Sequence, residues 1–208
     1  GGLGALNQPD LDGVLAHSSI GQVGFIVLPL AIVATGDETL QVLGITAALI
    51  YALNHAVAKS LLFLVSGTVN ESVGSIRFKN LGGLTGRAPY ISGAFFVGGL
   101  AMVGIPPLSG FFGKLFVFDT ATRAADAGVG QAALALAVAL VGAILTIAYI
   151  SRTWNRGFWG EETPAVVAAS RPRALVVVIA LMAAVVVAIG VGFDPIYRAA
   201  EAASNAAV

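Results

Sequence analysis

The chain has no cysteine, only two histidines, and few charges: its 11 basic and 11 acidic residues are 11% of the sequence. Without cysteine there are no disulfides, no thiolate-held metals and no thiol chemistry. With a formal net charge of zero there is no basic footprint for nucleic acid. No HExxH pair, glycine-rich phosphate loop or nucleophile elbow occurs, and nothing provides for flavin, iron–sulfur or nicotinamide binding, so no cofactor, metal or catalytic redox site is expected on this chain. The first ten residues lack the cationic stretch and cleavage site of a signal peptide. The chain does not begin with methionine and reads as though cut from something longer.

What fills the sequence is apolar. Of its 208 residues 57% are hydrophobic, and the mean hydropathy is +0.90, well outside the range of ordinary soluble domains. Five predominantly apolar segments follow one another, at about 14–34, 39–69, 90–118, 128–150 and 174–193. Each has roughly 20 residues or more, enough at about 1.5 Å per residue to cross about 30 Å of hydrocarbon. A soluble core could supply such runs, but not five of them joined by short polar links. The expected fold is all-α and integral to a membrane: one domain of five transmembrane helices. The last two spans are dominated by Ala, Val and Leu and read as packing or lipid-facing helices.

The loops set an expected orientation. One side receives the start of the chain and segments 71–89 and 152–173, with Arg77, Lys79, Arg87, Arg152, Arg156, Arg171 and Arg173. The other receives 36–38, 119–127 and the C-terminal tail, with only Arg123 and Arg198. Cytoplasmic loops carry the excess of basic residues, so the N-terminal end is expected inside a cell membrane and the C-terminus outside. Trp154 and Trp159 then fall where indoles anchor at the headgroups.

Inside the third span lies Gly104-Ile105-Pro106-Pro107-Leu108-Ser109-Gly110-Phe111-Phe112-Gly113-Lys114. A proline within a helix removes a backbone donor and its ring clashes with the preceding turn, so Pro106 and Pro107 predict a break or sharp kink. In lipid, backbone freed in this way must be packed in protein or line a wet cavity. Broken helices of that kind hold ion sites in transporters.

Two basic residues fall within spans, Lys59 and Lys114. Lys59 is about 15 Å from the nearer end of its span, too far for its stem to snorkel. It must face a protein interior or water, either as a static ion-paired group or as a carrier of protons. His55 is one turn before it, and Tyr51 and Ser66 extend the stripe, a spacing suited to a proton relay. On the first span His17, Ser18, Ser19 and Gln22 form a polar cluster open to two readings, pathway or interfacial capping. Lys114 is equally open: it reaches the interface near Asp119, or it meets water led in by the break.

Three segments carry a resemblance: Leu15-Ala16-His17-Ser18-Ser19-Ile20-Gly21-Gln22-Val23-Gly24, Asn54-His55-Ala56-Val57-Ala58-Lys59-Ser60-Leu61-Leu62-Phe63-Leu64, and the 104–114 stretch. They are similar to the antiporter-like subunits of respiratory complex I, membrane-bound hydrogenases and Mrp-type cation/proton antiporters. Phe158-Trp159-Gly160-Glu161 and Asp194-Pro195-Ile196-Tyr197 resemble the D component of Mrp antiporters. The resemblance implies a protein of about fourteen helices with two inverted five-helix repeats, this chain being its C-terminal part. It implies that Lys59 and His55 are the central lysine and histidine and Lys114 the basic residue of the broken helix, with Gly110 in the break motif. Tyr51 stands where a second histidine is often found, and His17 where tyrosine is common. The implied function is the second half-channel of a proton-translocating subunit, working with other membrane subunits on protons and Na+ or K+ in the bilayer. The alternatives are a pumping subunit of a quinone-linked dehydrogenase or hydrogenase, or a passive scaffold.

Overall fold

The computed structural model describes residues 1–34, 37–170 and 172–208. Gly36 of the first joint and Arg171 of the basic set lie outside the described residues. A short helix α1 (Gly2–Leu6) leads into α2 (Leu11–Val33). Asp10 starts α2 by accepting a hydrogen bond from Gly13 N at 2.8 Å, and Asp37 starts α3 (Glu38–Val73) likewise from Leu40 N at 2.9 Å. Each cap satisfies a backbone donor that the helix itself leaves free. With 36 residues, α3 is about 54 Å long, well beyond the bilayer core. It is the rod against which α2 and four later helices pack.

Past α3 come a 3₁₀ turn (Phe78–Asn80) and α4 (Leu84–Arg87). The expected third span then appears as two helices, α5 (Pro89–Val103) and α6 (Ser109–Asp126), separated by residues 104–108. Gly104 ends α5 in the left-handed region at φ 91°, and the Pro106–Pro107 peptide is cis. A Cβ on Gly110 would collide with the Ala101 carbonyl, so a glycine there lets the first turn of α6 lie against the last turn of α5. The second half continues two turns past the expected end near 118.

The fourth span, α7 (Ala132–Thr153), runs into a π-turn (Trp154–Phe158) closed by Trp159 N donating to Trp154 O at 3.0 Å. The two indoles of this end are placed differently from each other. Trp154 is half-buried and stacks on Phe158 at 5.5 Å and Phe95 at 6.4 Å, while Trp159 is 61% exposed. After α8 (Pro164–Val167) comes α9 (Arg173–Val191). Near its end Gly190 lies on the break itself, where an added Cβ would be 2.7 Å from Leu108 Cα and Ser109 N. The tail forms a further helix, α10 (Phe193–Asn205), which the hydropathy pattern did not anticipate. It is held by Phe193 stacking on Phe112 at 4.0 Å and by Thr46 donating to Ser204 Oγ at 2.9 Å.

Among the described residues, four helices are long and apolar enough to cross a membrane: α2, α3, α7 with its π-turn, and α9. The helix α5 is a shorter apolar one. The chain is thus an all-helical, multi-pass membrane protein. At one end of the bundle the loops meet: Phe78 N donates to Pro9 O at 3.0 Å, Gly82 N to Gly157 O at 3.1 Å, and Arg152 Nη1 to Gln8 O at 3.2 Å. The basic segments therefore share one end. The main apolar core joins Leu61, Leu62 and Val65 of α3 to Phe95 and Met102 of α5 and to Phe158.

Candidate functional site

Lys59 is 5% exposed, at mid-length of α3. Its Nζ donates to Leu15 O at 2.6 Å and to Ser18 Oγ, both on α2, and lies 5.9 Å from the Phe63 ring centre. No carboxylate pairs with it: among the described residues the ion pairs are Arg123–Asp119 and Arg198–Asp194. All its polar contacts are neutral. A serine hydroxyl suits such a position because it accepts from an ammonium and can donate to a neutral amine, so the contact persists in either state.

From Ser18 the polar groups continue across three helices. The Tyr149 hydroxyl is a neighbour of Ser18. Gln22, 2% exposed, donates through Nε2 to Tyr149 at 2.9 Å and to Thr146 at 3.2 Å, and its Oε1 accepts from the Tyr51 hydroxyl. An amide donates from one end and accepts at the other, so it can bridge two tyrosines from different helices at once. Beyond Tyr51 the Phe25 ring stacks at 5.2 Å, and the Lys114 amine lies 5.6 Å from that ring's centre.

Lys114 does not turn outward to an interface. It is 6% exposed, its side chain passes Gly104, and its Nζ donates to Val103 O at 2.7 Å. The last carbonyls of a broken helix lack intrahelical donors and carry partial negative charge, which a lysine satisfies on both counts. Nearby, Ser109 donates to Asn54 Oδ1 at 2.7 Å, tying the first residue of α6 to α3. Pro106 and Pro107 are in the linker, and Gly110 is at the crossing of α5 and α6.

The other residues singled out by spacing are placed differently. His55 is one turn from Lys59, yet its buried Nδ1 has no hydrogen-bond partner among the described residues. Ser66 donates to Asp12 Oδ1 at 2.6 Å, fastening α3 to the first turn of α2. His17 is turned toward α1: its Nδ1 is 3.0 Å from Gly13 O and its ring lies against Gly4. The arrangement thus places Lys59 and Tyr51 at the two ends of one set of buried polar groups, with Lys114 across the Phe25 ring from Tyr51, while His17 and Ser66 stand at its N-terminal edge. Sequence reasoning missed Tyr149 and Thr146, on a span read as packing. Their signal was a Thr–Tyr pair at i, i+3 in an otherwise apolar helix.

A family model described as NADH:quinone oxidoreductase/Mrp antiporter, TM, matches residues 1–146. The chain is 30% identical over 199 residues to the D component of the Na(+)/H(+) antiporter of Alkalihalophilus pseudofirmus, covering 95% of this chain and 38% of that protein. It is 32% identical over 201 residues to NAD(P)H-quinone oxidoreductase chain 4 1 of a Synechococcus species, covering 94% and 36%. Among solved structures, a chain of the Mrp complex from Dietzia sp. superposes with a TM-score of 0.83 at 26% identity, over 98% of this chain and 44% of that one. The chain spans less than half the length of each.

Proposed function

The chain belongs to the NADH:quinone oxidoreductase/Mrp antiporter transmembrane family, and from that premise we propose that it forms the second half-channel of a proton-translocating subunit in a multisubunit monovalent cation/proton antiporter. The observation that carries this reading is the Lys59 amine, buried at mid-span with only neutral partners. A charge kept solely for structure would be expected beside a countercharge, because an unpaired ion in a low-dielectric interior is expensive. A group that alternates between charged and neutral needs partners that serve both states, which Ser18 supplies. Gln22 holds Tyr51 and Tyr149 in line between Lys59 and the break, with Lys114 on the far side of Phe25. The working assembly has other membrane subunits and exchanges protons for Na+ or K+. The end carrying the basic segments faces the cytoplasm, following the basic bias.

The similarity to a quinone oxidoreductase chain favours a second reading, in which the same half-channel belongs to a redox-driven pump. Neighbouring genes separate the two: small antiporter subunits in one case, hydrophilic redox subunits in the other.

The test uses the full-length protein in its complete assembly, reconstituted in proteoliposomes. Lys59→Ala is expected to reduce proton-coupled transport to the level of empty vesicles. Lys59→Arg is expected to do the same, because guanidinium keeps its proton at any physiological pH. Substantial transport by an assembled Lys59→Arg variant would overturn the relay and leave a static charge in a scaffold.

A further inference from the structure

At the basic end of the bundle, where α5 and α9 begin, a cavity of about 460 Å³ opens between the two helices. Its rim is polar and cationic, formed by Arg87, Arg173, Ser170 and Tyr90, and its inner wall is apolar, formed by Ile91, Val176 and Val177. The chemistry therefore changes from cation to hydrocarbon along the direction in which a bilayer changes from headgroup to chain. Tyr90 is 75% exposed and Val177 57% exposed, so the described residues leave this side of the apolar wall uncovered. Neither arginine has an ion-pair partner among the described residues. Arg87 donates through Nη2 to Val167 O at 2.8 Å, and its other guanidinium donors have no partner among the described residues. The Glu162 carboxylate lies near Gly86 but forms no ion pair with Arg87.

We infer that this cavity binds an anionic phospholipid from the leaflet at the basic end, its phosphate between Arg87 and Arg173 and its acyl chains along Val176 and Val177. Guanidinium matches phosphate geometry through paired N–H donors. The apolar wall gives a lipid a foothold that a free anion lacks, and basic pockets between membrane helices recognise such headgroups. The inference does not depend on proton transport, because lipid retention is measured without any ion flux.

The experiment titrates phosphatidylglycerol into the complete, full-length assembly held in phosphatidylcholine nanodiscs and reads bound lipid by native mass spectrometry. Each arginine near an anionic headgroup is worth about fivefold in affinity, so Arg87→Gln with Arg173→Gln is expected to weaken one phosphatidylglycerol site roughly thirtyfold. Because Arg87 also holds the Val167 carbonyl, the single Arg173→Gln variant serves where the pair fails to assemble, with about a fivefold loss expected. Arg77→Gln, on the same end but outside the cavity, is the control and should leave that site unchanged. Unchanged binding in the cavity variants overturns the inference, as does an equal loss in Arg77→Gln, which would show general attraction to a basic surface. Displacement of phosphatidylglycerol by millimolar inorganic phosphate overturns it in favour of a free-anion site. Failure of wild type to prefer phosphatidylglycerol over phosphatidylcholine overturns it as well.

Discussion

Lys114 bonds back across the break that precedes it: its Nζ donates to the carbonyl of Val103, 2.7 Å away at the last residue of α5. The bond closes a helix end, a role to be separated from the one proposed for the same amine in a proton path. Lys114→Met should leave the Val103 carbonyl without its donor and cost about 1–3 kcal/mol of stability, with transport lowered. Lys114→Arg keeps a donor, so most of that stability should remain while transport still falls. Thermal unfolding and proton flux on the same preparations check both, and wild-type flux from the arginine variant would leave Lys114 a helix cap only.

Gln22 should behave as the hub of the tyrosine pair. Gln22→Leu strands two buried hydroxyls, at an expected cost of about 1–3 kcal/mol. In a double-mutant cycle, Tyr51→Phe and Tyr149→Phe should couple by about 0.5–3 kcal/mol, since both bond one amide. Simple additivity, or a Gln22→Leu variant that melts with wild type, would show the three residues acting independently.

Replacing Pro106 and Pro107 by alanine restores a backbone donor at each position and removes the ring clashes. The two half-helices could then merge only by giving up the Lys114–Val103 and Ser109–Asn54 bonds. Transport is expected to fall with assembly intact. A double variant that pumps like wild type would make the prolines incidental to function.

The absence of cysteine makes orientation testable with single labels. Ser75→Cys should react with an impermeant thiol reagent from the cytoplasmic side, and Gly128→Cys and Ala207→Cys from the outside. Cytoplasmic labelling of Ala207→Cys with the other two as expected would remove one membrane crossing from the proposed topology.

The membrane class, the helical fold and the broken helix were all legible in the sequence, because each rests on a local property: a hydropathy run long enough to cross lipid, or a proline that cannot continue a helix. The direction of Lys114 was not legible. Its distance from Asp119 allowed an outward path, and the choice was made by a carbonyl eleven residues back across a break whose geometry no window reports. Tyr149 escaped for a related reason. Hydropathy averages over a span, so one hydroxyl pair in α7 vanishes into its alanines and valines, and its partner Gln22 is 127 residues away. His55 shows the converse. Spacing set it one turn from Lys59, but the partner of that amine was decided by where α2 lies, and α2 presents Ser18.

Gly190 changes what α9 is for. The helix looks like a spectator by composition, yet at that residue its backbone is seated against Leu108 and Ser109, the middle of the interrupted span. It works as a splint, and the splint has room for a hydrogen but not for a methyl. Gly190→Ala would drive a wedge into the joint without altering a single charge, hydroxyl or amide along the lysine path. At this atom mechanical fit can be changed apart from the proposed proton chemistry.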